Sequence, residues 1–219
     1  MRFRINLLPF AITALCMTGW GFSSNPPDSK TGAKGEGLCI DCHNSFTPNS
    51  GNGSLSLLGT PTVYMADSTY PLTVILSDPG QSRWGFELAV KEQGDQQAGT
   101  ITVTDLTNTQ SSTSEGINYL KHTSSGTYAR TTDGPVSWTF TWTAPSSGTG
   151  RVRFYIAGNA ANNNGNNQGD YIYNINREIE EQIATGAAPL TPLGWVIVVM
   201  LVTGSSIWFV VSKRRVLRV

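Results

Sequence analysis

The chain is poor in the residues that most often carry chemistry. Its 219 residues include three cysteines and two histidines. Cys16 lies in an apolar amino-terminal stretch, so Cys39 and Cys42 are the only thiols beyond it. No Ser, His and acid arrangement and no paired-carboxylate signature points to a hydrolase, so an enzyme is not the first expectation. A basic face is missing as well. All fifteen acidic residues fall between Asp28 and Glu181, while Arg2, Arg4, Lys213, Arg214, Arg215 and Arg218 put much of the basic charge at the two ends. The middle is net acidic and suits no phosphate backbone, which sets nucleic acid aside. There is no internal repeat.

Long apolar runs occur only at the ends. Arg2 and Arg4 open an apolar stretch that closes on small residues at Gly21, Ser23 and Ser24, the layout of a secretory signal peptide. Leu15 before Cys16 is not the small residue that a lipoprotein signal requires. At the other end, Leu193 to Ser212 carries no charge and runs into Lys213, Arg214 and Arg215. A helix of that length spans about 30 Å, enough for a bilayer core, and the basic cluster places its carboxyl end in the cytoplasm. The expected product is exported and single-pass, with its domain in the periplasm or at the cell surface.

Within the exported part, Cys39, Ile40, Asp41, Cys42 and His43 form the run C-I-D-C-H. Two thiols three positions apart, followed at once by histidine, are the attachment pattern of a c-type haem. The thiols form thioethers with the porphyrin vinyl groups, and the adjacent histidine ligates iron. The expected cofactor is one covalent haem c, anchored by Cys39 and Cys42 with His43 as proximal metal ligand. His122 is the first candidate for the distal ligand and Met65 the weaker one. The alternatives are a Cys39–Cys42 disulfide in an oxidising compartment, or a zinc site that lacks a fourth ligand nearby. The turn-rich run after His43 does not read as an amphipathic helix, so the motif is expected on a loop lying against another element.

That element reads as all-β. Tyr70 to Leu76 is short, branched and apolar. Trp84, Phe86, Leu88 and Val90 alternate with other residues, as do Val136, Trp138, Phe140 and Trp142, which predicts one buried and one wet face. Thr100 to Leu106, Ile117 to His122, Val152 to Ile156 and Tyr171 to Ile175 complete the set. Seven or eight short strands separated by Gly and Pro turns predict an antiparallel β-sandwich. Glu178 to Thr185 reads as a short helix. Asn159 to Asp170, rich in Asn and Gly with Asp170 its only acid, reads as a long turn rather than a calcium loop. The expected organisation is a signal peptide over 1–24, an extended segment with the motif over 25–57 and the sandwich over 58–177. A linker over 178–192, a membrane helix over 193–212 and a basic tail over 213–219 follow.

The landmarks G-A-K-G-E-G-L-C-I-D-C-H (Gly32 to His43), W-G-F-E-L (Trp84 to Leu88), Y-L-K-H-T-S-S-G (Tyr119 to Gly126), W-T-F-T-W-T-A-P (Trp138 to Pro145), F-Y-I-A-G-N-A-A-N-N-N-G (Phe154 to Gly165) and G-D-Y-I-Y (Gly169 to Tyr173) resemble the bacterial choice-of-anchor V domain proteins, relatives of the Reeler domain. The resemblance implies an immunoglobulin-like, Reeler-like sandwich with an amino-terminal haem-type motif and a variable carboxyl-terminal anchor. It implies no defined activity, and animal Reeler domains lack the C-x-x-C-H element. The tail also resembles exosortase-type sorting tails, which are cleaved after export. Two function classes follow: a membrane-anchored monohaem carrier of single electrons to a redox partner protein, or a non-redox adhesion module with the two thiols in a disulfide.

Overall fold

The computed structural model describes residues 24–183. The signal peptide before Ser24, the membrane helix and the basic tail expected from the sequence lie outside them. Among the described residues no helix is long and apolar enough to cross a membrane.

The strands are β1 (Ser54–Leu58), β2 (Val63–Tyr64), β3 (Thr69–Ser77), β4 (Arg83–Glu92), β5 (Thr100–Val103), β6 (Thr109–Ser114), β7 (Ile117–His122), β8 (Val136–Thr143), β9 (Val152–Ala161) and β10 (Tyr171–Glu181). They form a four-stranded sheet, β1-β3-β8-β5, and a six-stranded sheet, β2-β10-β9-β4-β7-β6. Every pair is antiparallel except β2 with β10, a short parallel contact of Val63 and Tyr64 with Glu180 and Glu181.

Alternation explains the layering. Leu72, Val74 and Leu76 of β3 and Trp138, Phe140 and Trp142 of β8 turn inward from one sheet. Trp84, Phe86, Leu88 and Val90 of β4 and Phe154 and Ile156 of β9 meet them from the other. Aromatic contacts join the sheets: Phe86 and Trp138 lie 4.5 Å apart by ring centroid, and Trp142 meets Phe154 edge-on at 5.0 Å. Buried indoles keep their N–H groups paired, Trp138 Nε1 donating to the Gly126 carbonyl and Trp142 Nε1 to that of Ala98, so the aromatic core leaves no orphan there.

Three expectations need correction. The helix expected over Glu178 to Thr185 is instead the end of β10, which continues to Glu181 with Ile179 buried opposite Val152. The sandwich begins before residue 58, because β1 pairs in register with β3 from Ser54. It also ends later than residue 177.

The two faces of the six-stranded sheet differ. Its inner face is apolar, whereas its outer face presents Glu87 and Lys91 of β4 and Tyr119 and Lys121 of β7, all buried. Charged groups hidden on the outside of a sheet require a cover that pairs them. Residues 24–49 supply it.

Candidate functional site

The amino-terminal segment crosses the outer face as a strap, strand by strand. The side chain of Asp28 accepts from Ser112 Oγ of β6 at 2.5 Å and pairs with Lys121 Nζ of β7. Ser29 Oγ lies 3.1 Å from Tyr119 Oη. The Lys30 N–H donates to Glu87 Oε2 of β4 at 2.6 Å. Thr31 and Leu38 close a small antiparallel bridge, and within it Glu36 accepts from Thr31 Oγ1 at 2.5 Å and from Tyr119 Oη at 2.7 Å. Lys91 Nζ completes that cluster at 2.5 Å from Glu36 Oε1. Further on, the Asn49 N–H donates to the Ile172 carbonyl and Asn49 Oδ1 accepts the Asn174 N–H, both on β10.

The C-I-D-C-H run sits where this strap reaches β9 and β10. Cys39–Asp41 form a single 3₁₀ turn, and the His43 N–H donates to the Cys39 carbonyl at 3.0 Å, so the histidine follows the two thiols in one compact bend. Asp41 fixes the bend through Lys30 Nζ at 2.7 Å. Both cysteines are free; Cys42 is exposed, whereas burial, with the charge of Glu87 second, pushes the Cys39 thiol up to about 12.

His43 is held by its Nδ1. That nitrogen lies 2.6 Å from Oδ2 of Asp170, whose side chain is 1% exposed. Asn159 Nδ2 of β9 stands 3.2 Å from Nδ1 and 3.3 Å from Nε2 of the same ring. When Nδ1 carries the proton and donates to the carboxylate, Nε2 keeps a lone pair for a metal.

His122 ends β7 and is buried. Its Nδ1 lies 3.0 Å from the Phe86 nitrogen and 3.2 Å from the Phe86 oxygen, so one residue of β4 offers a donor and an acceptor and can serve either tautomer. Burial pulls its pKa down to about 4. The ring lies against Gly85, where an added Cβ would come within 2.7 Å of its Cε1. Gly85 is the cross-strand partner of Asn159, which touches His43. The two histidines of the chain therefore approach one Gly85–Asn159 pair from different elements. Met65 is placed elsewhere: it follows β2, which pairs with the last residues of β10, whereas Asp170 precedes the first, a strand length of roughly 30 Å away at about 3.4 Å per residue.

Among the described residues Glu87 Oε1 and Asn159 Oδ1 are buried without a hydrogen-bond partner on this face, and the His122 ring fills the space beside Gly85. Two thiols, an imidazole with a carboxylate behind it and a second imidazole are the side-chain types that a thioether-linked haem would require. Among the described residues no cluster of three or more His, Cys, Asp or Glu could hold a metal ion.

Sequence reasoning pointed to Cys39, Cys42, His43 and His122 but not to Asp170, Asn159 or Gly85 as their neighbours. Asp170 had one visible signal, being the only acid in an Asn- and Gly-rich run.

Among sequences, no family model and no curated protein matches the chain. Among solved structures it is similar to a fragment of the human F-spondin reeler domain, at 23% identity over 63% of this chain and 96% of that one, with a TM-score of 0.42. It is also similar to the Reelin-N domain of F-spondin, at 22% identity over 65% and 96% of the two chains, TM-score 0.43. A cohesin module from a Clostridium perfringens family 33 glycoside hydrolase aligns at 13% identity over 60% and 96%, TM-score 0.39.

Proposed function

We propose that this chain is an exported, membrane-anchored β-sandwich module that carries one covalent haem c and passes single electrons to a protein partner. Cys39 and Cys42 would anchor the porphyrin, and His43 and His122 would be the axial ligands. The observation that carries the reading is the approach of both histidines to the Gly85–Asn159 pair, beside the C-I-D-C-H turn. Asp170 accepts at Nδ1 of His43, the arrangement that leaves its Nε2 for iron, whereas Nδ1 of His122 meets both the N–H and the carbonyl of Phe86, and only the carbonyl contact would free its Nε2. A haem held by two imidazoles supplies a one-electron couple of lower potential than one held by histidine and methionine. The position of Met65 supports His122 over it as the second ligand.

The test is a pyridine haemochrome spectrum and an intact mass on protein made in cells that load c-type haem. The reading expects an α-band and a mass gain of one haem, both lost in the Cys39→Ser, Cys42→Ser double variant.

A second reading is a non-redox surface binding module with Cys39 and Cys42 in a disulfide. It is favoured by one observation: Asp28, Ser29, Lys30, Glu36 and Asn49 tie the strap to the sheet without either thiol. On that reading the same double variant keeps its partner binding.

A further inference from the structure

The loop between β9 and β10 grips the haem-type motif from outside. Asn167 Nδ2 donates to the Cys42 carbonyl at 2.5 Å, and the Gly169 N–H donates to Ser45 Oγ at 2.8 Å. Between these clamps Asp170 uses both carboxylate oxygens. Oδ1 accepts the Asn162 N–H at 3.2 Å, which ties the two ends of the loop together, and Oδ2 faces His43 Nδ1 at 2.6 Å. A residue that merely closed the loop needs only the first contact. The second is as short as charge-assisted hydrogen bonds become, and water is excluded from the acceptor because Asp170 is 1% exposed.

We propose that Asp170 is a positioning residue for His43, holding the ring with its proton on Nδ1 and making Nε2 a more electron-rich ligand. The proposal rests on the haem reading for its second half only; the first half concerns the protein without any cofactor. A carboxylate behind a ligating imidazole raises its basicity, which favours ferric over ferrous iron and lowers the potential of the couple. With the proton on Nδ1, the Asn159 amide N–H has only Nε2 to donate to, so that 3.3 Å contact would give way when Nε2 takes a metal. The neutral amide of Asn in place of Asp170 retains the shape and removes the charge.

Two measurements on the full chain separate the parts. The first is nitrogen-15 NMR of His43 in apoprotein from cells without haem-loading machinery, expected to show the proton on Nδ1 with a far-downfield proton shift. A proton resident on Nε2 overturns the proposal, and this measurement needs no variant to fold. The second is the midpoint potential of haem-loaded wild type and Asp170→Asn, each first checked for its α-band. The variant is expected to keep its haem and to show, at the wild-type midpoint, about a tenfold higher ratio of reduced to oxidised protein, about 59 mV for one electron. An unchanged potential in a haem-loaded variant overturns the tuning role while the haem reading stands. A colourless wild type contradicts the haem reading and leaves the His43 tautomer to decide the positioning role.

Discussion

Glu87 beneath the strap and His122 at the end of β7 are both buried, and burial moves them in opposite directions. Desolvation raises Glu87 to about 8, against the opposing pull of the Lys30 N–H and Lys121. A carboxyl whose folded pKa exceeds its unfolded value stabilises the fold fully below the unfolded value, near 4.5, and loses that contribution as pH rises to about 8. His122 behaves in the reverse sense. Its folded pKa near 4 lies below the ordinary 6.5, so its contribution is present above 6.5 and is lost as pH falls through 4. Urea unfolding of the apoprotein at several pH values checks both. The stability of wild type relative to Glu87→Gln should decline between pH 5 and 8, by up to about 1.4 kcal/mol per pH unit. A difference that stays constant across that window removes the assignment. Cys39, half-buried and with its thiol pushed up to about 12 by desolvation and the Glu87 charge, should react with a thiol reagent far more slowly than exposed Cys42 in the apoprotein. Mass spectrometry of a timed alkylation reads this directly.

At the scale of elements, the strap and the β4–β7 edge account for what lies beneath the motif. His122 replaces a stretch of backbone pairing: β7 and β4 are in register at Glu87 with Lys121 and at Leu88 with Leu120, and beyond them the imidazole bonds the Phe86 peptide. Gly85 makes this fit. Gly85→Ala places a methyl 2.7 Å from the ring, and the crowding should cost about 1–3 kcal/mol of stability and displace His122 from Phe86. Denaturant titration and the NMR shifts of His122 measure the two effects; an Ala variant as stable as wild type contradicts the packing described. Tyr119→Phe removes a hydroxyl shared between Ser29 and Glu36 and should cost about 1 kcal/mol, loosening the strap as read by amide exchange of residues 29–37. Elements with apolar alternation, such as β4, β8 and β9, were legible because their periodicity is also their burial pattern. By contrast β6 has the sequence T-Q-S-S-T-S and β2 only two residues, and neither displays a face to read. The end of β10 was hidden for another reason. Its E-I-E-E run looks helical by composition, and its strand character comes from pairing with β9, a partner remote in sequence. The grouping of Cys39, Cys42 and His43 in one bend was readable because their spacing is local. Asp170 and Asn159 are not local: they stand 127 and 116 positions from His43 and meet it only through the sheet.

For the molecule as a whole, two layers of different character divide the work. The aromatic interior between the sheets holds the sandwich together, and Trp138→Ala should cost about 3–5 kcal/mol. The outer face of the larger sheet is a buried polar layer under a strap that brings a thiol-and-histidine motif to the two strands bearing its supports. The sandwich does not need the thiols, so the double serine variant should unfold within about 1 kcal/mol of wild-type apoprotein. The most direct measurement is the pyridine haemochrome spectrum of wild type and of that double variant, both purified from cells able to attach haem to C-x-x-C-H motifs. The account predicts an α-band and one haem of added mass in wild type and neither in the variant. Wild-type protein that folds, keeps both thiols titratable and shows no α-band would contradict it.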